Sequence, residues 1–350
     1  MAVDELTASD GLPARLLSDD RDDDGPAPRT AAERLRAHVW KDGVVTEVAT
    51  ARAVEQAYAD PETTLWIDLE SPTPATLVQL ATCLKLHPLI VEDIVERNQR
   101  AKVELTGETL HLVMFALLYE GELVTAELDV VLGARFLFTA HGSDWDPHDT
   151  PHVRRGVAGV VSKGPDFTLW AIVDWLVDGY FPVFDRLGDE IDQLQDDVIA
   201  RPSRWLVERL FQVRRDLLTI RHAVMPQREI FNQLTNRDLP LIHESRIVYF
   251  RDVYDHLIRL TDELDSFREM VGTTLDAYLS TVNNNLSEIM KRLTAITAIL
   301  AGIGAAAGIF GMSEASLALG FAEPRFWYVT AFVAAVGAVL FLYFRRIDYI

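Results

Sequence analysis

Four acids recur at seven-residue spacing: Asp255, Asp262, Glu269 and Asp276. Carboxylates in that register share one stripe of a helix, and several copies of the helix around an axis would stack them as rings that concentrate cations. The register continues as Asn283, Met290, Thr297, Gly304 and Gly311. A column three residues on reads Ile258, Asp265, Gly272, Leu279, Leu286, Leu293, Leu300 and Ala307, so the two columns occupy the a and d positions of a heptad. The seam is graded from acidic, through apolar at Met290 and Leu293, to small. Acids on a dry seam would each need a partner or lose their charge. Two readings follow. In one, the acids face a hydrated axis and Met290 and Leu293 form a neck that shuts by dewetting. In the other, the column is simply the solvent face of an unusually charged helix.

Other constellations are sparse. There is no phosphate-cradling glycine loop, no nucleophile elbow and no cysteine pair, so the chain is not expected to be an enzyme. Its single cysteine, Cys83, cannot form an intramolecular disulfide, which fits a reducing compartment. The densest polar run, HGSDWDPHD from His141 to Asp149, offers metal-ligand types but lacks the glycine and final glutamate of a calcium loop. It is expected to be a surface turn, and His87 is expected to be structural.

The element that must carry the acidic column is a helix without proline from His243 to Pro324. Residues 244–312 would extend on the order of 100 Å as one stalk helix. Its last part, Leu293 to Ser313, has no ionisable residue, and neither has Phe326 to Phe344 apart from tyrosines. Each stretch is long enough to cross a hydrocarbon core about 30 Å thick. Lys291 and Arg292 precede the first and Arg345 and Arg346 follow the second. Positive flanks stay inside, so both termini are expected in the cytoplasm of a cell-membrane protein, with residues 313–325 as an external loop and 326–350 as the second span and basic end. Gly302, Gly304, Gly308 and Gly311 suit close helix approach. Two spans cannot enclose a water-filled path, so transport would require several copies.

Ahead of the stalk, residues 1–30 hold eight acids and three arginines and read as a disordered tail. Residues 31–165 read as an α/β domain: a hairpin through Asp42-Gly43, a strand at TTLWIDLE, and strands turning near Gly107, Gly121 and Gly133. Helices are expected over Thr73–Lys85 and from Pro88 to Val95. Residues 166–243 read as helical, with Pro226 and Pro240 as interruptions. With 33 basic and 53 acidic residues the chain has a net charge of −20, which disfavours nucleic-acid partners.

Several segments, in order, resemble the CorA family of divalent-cation transport proteins: LWIDLESPTP (Leu65–Pro74), LHPLIVEDIVERNQRAKVE (Leu86–Glu104), YFRDVYDHLIRLTDELDSFRE (Tyr249–Glu269), LDAYLSTVNNNLSEIMKRLTAI (Leu275–Ile296) and YFRR (Tyr343–Arg346). The resemblance covers nearly all of residues 31–350. It implies an α+β cytosolic funnel domain, a very long stalk helix and two C-terminal transmembrane helices, assembled as a homopentameric channel in a lipid bilayer. It further implies that Asp93 and Asp252 bind regulatory Mg²⁺ between subunits, and that Mg²⁺, with Co²⁺ or Ni²⁺, passes inward. By the same resemblance, Asp255, Asp262, Glu269 and Asp276 are the pore's acidic column, Met290 and Leu293 its constriction, and Gly311, Met312 and Ser313 its selectivity mouth. There the sequence departs from the family's Gly-Met-Asn: Ser313 replaces the asparagine. Ser287 also stands where asparagine is usual, and Gly302 where proline is usual. A hydroxyl ring presents less oxygen dipole than an amide ring. A pore of altered selectivity, for Zn²⁺ or broadly conducting, and a non-conducting metal sensor are therefore the alternatives.

Overall fold

A computed structural model describes residues 32–97, 99–119, 121–200, 202–236, 239–311, 324–347 and 349. The expected acidic tail, Met312, Ser313 and the loop through 323 lie outside the described residues.

Strands β1 (Arg34–Lys41) and β2 (Val44–Val48) form the expected hairpin, with Asp42 at φ 49° and Gly43 at φ 85° in the left-handed region its two-residue turn requires. β3 (Thr64–Glu70), β4 (Lys102–Thr106), β5 (Thr109–Tyr119), β6 (Leu123–Leu132) and β7 (Phe136–His141) complete a seven-stranded sheet in the order β2-β1-β3-β7-β6-β5-β4. The β3–β7 pair is parallel and the other neighbours are antiparallel.

One sheet face is built by alternation. Ala37, Val39, Leu65, Ile67, Leu69, Phe136 and Phe138 point into a core shared with α1 (Ala51–Tyr58), α2 (Pro74–Leu84) and α3 (Pro88–Glu96). Each fully buried large aliphatic or aromatic side chain contributes about 1.5–3 kcal/mol. Thr73 caps α2 by accepting from Thr76 N, and His87 caps α3 by accepting from Leu89 N, which is the structural role expected of it. On the other face Trp66, Asp68, Leu137 and Thr139 are fully buried beneath α5 (Ala158–Val161) and α6 (Pro165–Asp178), which follow the single turn α4 (Pro151–Arg154).

The run His141–Asp149 corrects the expectation of a surface turn. His141 is 1 % exposed, Trp145 is 8 % exposed, and Asp146 accepts from Arg36, a residue of the sheet. The reason is charge pairing: Arg36 and Asp68 lie side by side within the sheet, and this segment supplies their remaining partners.

α7 (Phe181–Ala200) and α8 (Arg204–Asn236) follow. α8 passes straight through Pro226, where an interruption was expected. A mid-helix proline costs about 3 kcal/mol, and buried neighbours offset it: Val224, Ile230, Phe231 and Leu234 are at most 2 % exposed. Gln227 adds polar anchoring, since its Oε1 accepts from Tyr180 Oη at 3.0 Å. Tyr180 Oη also donates to Phe115 C=O, and burial pushes its phenol above the ordinary tyrosine value.

The long helix α9 spans Ile247–Gly311, 65 residues, after a 3₁₀ turn at Glu244–Arg246, and α10 spans Pro324–Arg346. The chain divides into two compact units, Met1–Asp192 with Phe211–Val271, and Gln193–Leu210 with Gly272–Ile350. In the first, α9 buries Phe250, Val253, Leu257, Leu260, Leu264, Phe267 and Val271, one helical stripe. In the second, the most apolar window of α9 is only 6 % buried, whereas the comparably apolar window within 165–200 is 67 % buried. The earlier stretch, carried by α6 and α7, is therefore a core element, and the apolar part of α9 has the uncovered surface of a membrane span.

The glycines of α9 are not equivalent. A Cβ on Gly302 would stand 2.7 Å from Leu340 Cδ1 of α10, while Gly304 and Gly308 face open space. Gly302→Val requires the Leu340 side chain to turn aside and is accordingly expected to lower stability by about 1 kcal/mol, and Gly304→Val to leave the isolated chain's fold unchanged. Thermal melts of both variants in detergent check this.

Candidate functional site

Asp255, Asp262, Glu269 and Asp276 all lie on α9 and all are exposed. They sit about half a turn away from the buried stripe, by the helix repeat of 3.6 residues. Among the described residues, none of the four pairs with a lysine or arginine of the same chain. Their neighbour Asp265 is different: it accepts from Arg221 at 3.2 Å and from Arg268 at 3.0 Å. Asn283, Met290, Thr297 and Gly304 extend the uncovered stripe. Met290 is 58 % and Leu293 54 % exposed, within an apolar ridge that also holds Leu279, Leu286 and Leu300. Gly311 is the last residue of α9, and Met312 and Ser313 lie outside the described residues.

Asp93 is placed by α3 and lies 16 % exposed at its side chain. Lys102 Nζ of β4 donates to its Oδ2 at 2.7 Å, and His111 Nδ1 of β5 is 4.0 Å away. Burial works against the Lys102 charge, yet Asp93 holds its pKa above the ordinary lysine value. Asp93, Glu104 and His111 are close enough to share one cation. Asp252, in contrast, is exposed on α9, where its charge acts on Asp174 of α6. Asp174 is pushed up to about 6 by burial and by the like charges of Asp178 and Asp252, with His256 opposing. His256 Nδ1 lies 3.3 Å from Asp178 Oδ1. Among the described contacts within one chain, Asp93 and Asp252 do not touch each other.

Sequence reasoning missed two parts of this arrangement. Asp174 and Asp178 were visible as acids in an apolar helix, and their spacing of four was the signal that they share a face. The second part is a buried acid pair beside Asp93. Burial drives Glu127 up to about 7, with Asp129 adding repulsion, and raises Asp129 as well, although His111 Nε2 is 3.1 Å from it. Glu127 and Asp129 share one face of β6, but only the fold brings His111 of β5 and Asp93 of α3 to that face.

Glu127 gives a pH prediction. Its folded value lies above its unfolded one, so the folded state binds the extra proton, and stability falls as pH rises from about 4.5 through 7. Glu127→Gln is expected to be neutral near pH 4 and stabilising by on the order of 1–2 kcal/mol at pH 8, after allowance for water at a half-buried group. Denaturation at the two pH values measures it.

A sheet-and-helix domain joined to a 65-residue helix that becomes apolar and uncovered, with a second apolar helix behind it, defines a membrane-inserted protein with a large soluble part. The family described as CorA-like Mg2+ transporter protein matches residues 61–346, and the chain belongs to the CorA family. Membership places it among transport proteins and not among enzymes. The cobalt/magnesium transport protein CorA of Thermotoga maritima is 32% identical over 301 residues, covering 83% of this chain and 84% of that one. The protein of the same description from Methanocaldococcus jannaschii is 25% identical over 290 residues, 82% of this chain and 91% of the other. The complete structure of the CorA magnesium transporter from Methanocaldococcus jannaschii superposes with a TM-score of 0.75 at 23% identity, over 90% of this chain and 98% of that one. Full-length CmaX gives 0.69 at 19% identity, over 90% and 97%. These two likenesses bear on the fold, and they agree with an α+β domain, a long helix and a further apolar helix.

Proposed function

We propose that this protein is a homo-oligomeric channel, expected to be a pentamer, that carries divalent metal cations into the cytoplasm across the cell membrane with both termini inside. Mg²⁺ is the first candidate cargo, with Co²⁺ and Ni²⁺ behind it. The observation that carries the proposal is the run of exposed residues along α9: four acids that, among the described residues, have no lysine or arginine partner, then Met290 and Leu293, then Gly304 and Gly308 open to space. Such a stripe suits a shared wet axis, where each acid is multiplied by the number of copies.

The carboxylates at Asp93 and at Asp252 are the proposed regulatory Mg²⁺ ligands between neighbouring copies. Mg²⁺ keeps most of its water and needs one or two carboxylates. The chemistry fits best around Asp252, where Asp174 and Asp178 leave repulsion that a dication would relieve. At Asp93 the ion must share the carboxylate with Lys102. Bound Mg²⁺ would tie copies together and hold the neck shut, and its loss would release them.

Uptake of Mg²⁺, Co²⁺ and Ni²⁺ into liposomes under an inside-negative potential tests the proposal. Saturable uptake supports it, and silence with every ion refutes it. Ser313 favours one second reading, a pore of altered selectivity that includes Zn²⁺. Reversal potentials in mixed salts for the natural chain and Ser313→Asn separate the readings. A shift toward Mg²⁺ in the variant supports altered selectivity, and identical values remove Ser313 from the filter.

A further inference from the structure

Away from α9, on the sheet face covered by α5 and α6, two imidazoles meet edge to edge. His38 Nε2 of β1 lies 2.9 Å from His148 Nε2, which belongs to a 3₁₀ turn at Pro147–Asp149. His38 is 5 % exposed, and the His148 side chain 14 %.

The His148 ring is fixed on its other edges. Its Nδ1 is 3.2 Å from Asp146 Oδ1 and 3.3 Å from Asp68 Oδ2, and its plane stacks on Trp66 with centroids 4.4 Å apart at 16°. Asp146 also accepts from His148 N at 2.8 Å. Arg36 Nη2 stands 2.8 Å from both Asp68 Oδ2 and Asp146 Oδ1, and His141 Nε2 is 3.2 Å from Asp68 Oδ1. Asp68, His141 and Asp146 are near enough to share a cation, but the guanidinium already occupies that position. The carboxylates are therefore spent on orienting His148, and the nitrogen left to face a ligand is Nε2. Glu47, exposed on β2, is the direct cross-strand neighbour of His38.

We propose that His38 Nε2 and His148 Nε2, completed by Glu47 and water, bind a borderline transition-metal dication such as Ni²⁺ or Zn²⁺. Metal–imidazole bonds of about 2.0–2.1 Å at a tetrahedral centre hold two nitrogens about 3.3 Å apart, so the pair needs to open by only a few tenths of an ångström. Without metal, the two nitrogens share one hydrogen. Burial keeps His38 neutral by lowering it to about 4, with His148 adding to the effect. Although burial opposes it, Asp146 and Asp68 hold the His148 pKa above the ordinary histidine value. The incoming dication takes the place of the shared proton, which leaves to solvent. The carboxylate–imidazole–metal chain that results is the arrangement that fixes ring orientation in metal sites and raises ligand basicity. Imidazole nitrogen selects this class of ion against Mg²⁺, which prefers oxygen and its own water. This site thus goes beyond the proposed transport function and responds to a different ion from the carboxylates of α3, α6 and α9. It also ties β1 to a turn 110 residues away.

The test uses the full-length protein in detergent with excess Mg²⁺ present to occupy oxygen sites. NiCl₂ is titrated while tryptophan fluorescence is followed, because paramagnetic Ni²⁺ at this position quenches the stacked Trp66. The expected result is saturable quenching that disappears in Trp66→Phe and moves to at least about tenfold higher Ni²⁺ in His38→Gln and in His148→Gln. ZnCl₂ is expected to raise the melting temperature of the natural chain and not that of His38→Gln. Glu47→Gln, an exposed change that does not threaten the fold, should weaken Ni²⁺ binding several-fold. Unchanged Ni²⁺ affinity in a folded His38→Gln, or quenching that persists in Trp66→Phe, overturns the proposal.

Discussion

Met290→Asp is expected to raise cation uptake at high internal Mg²⁺ by at least about tenfold, equivalent to about 1.4 kcal/mol on the balance between shut and open. Met290 continues the register of the four acids and is 58 % exposed in the single chain. In the proposed assembly it is repeated in every copy around the axis. An apolar ring shuts by expelling water, and a ring of carboxylates keeps its water. Leu293→Asp should act in the same direction. Ile289 supplies the control: it is 60 % exposed, so it is equally available, but it lies about 100° around the helix from Met290. Flux through reconstituted vesicles with an internal Mg²⁺ indicator gives the answer. Equal effects at Ile289 and Met290 would show that the stripe does not define the axis.

Asp252→Asn carries the second large expectation: uptake that changes less than about twofold with internal Mg²⁺, where the natural chain changes tenfold or more. Asp178 and Asp252 both act on Asp174 of α6, which burial together with these like charges drives up to about 6. A divalent ion relieves that repulsion, so Mg²⁺ should be coupled to the arrangement that exposes or screens these charges. Removing one charge weakens both the attraction for Mg²⁺ and the repulsion that follows its loss, so the response flattens. Asp174→Asn should flatten it too, while Asp265→Asn should not, because Asp265 is already neutralised by Arg221 and Arg268. Retained Mg²⁺ sensitivity in Asp252→Asn and Asp174→Asn together would remove this cluster from regulation.

Gly302 shows how one sequence feature divides once the chain is folded. Four glycines in α9 were equally suited to close helix packing, but Gly302 faces Leu340 while Gly304 and Gly308 face open space. Helical phase separates them, and phase has meaning only relative to a neighbour. Asp93 makes the same point. The resemblance singled it out as a metal ligand, yet Lys102 and His111 reach it from strands β4 and β5.

The sequence by itself determined what repeats or terminates locally: the seven-residue acidic column, the apolar stretches of α9 and α10, the Asp42-Gly43 hairpin, and the helices over Thr73–Lys85 and from Pro88. Periodicity, chain direction and turn chemistry act over a few residues, so they can be read without knowing the fold. Tertiary structure alone decided that α8 continues through Pro226, that His141–Asp149 lies against Arg36 and Asp68, and that His38 faces His148. Each of these depends on groups brought together across tens of residues by sheet register and burial. There, the cost of an unpartnered charge or a lost backbone bond is weighed against packing that no local pattern records.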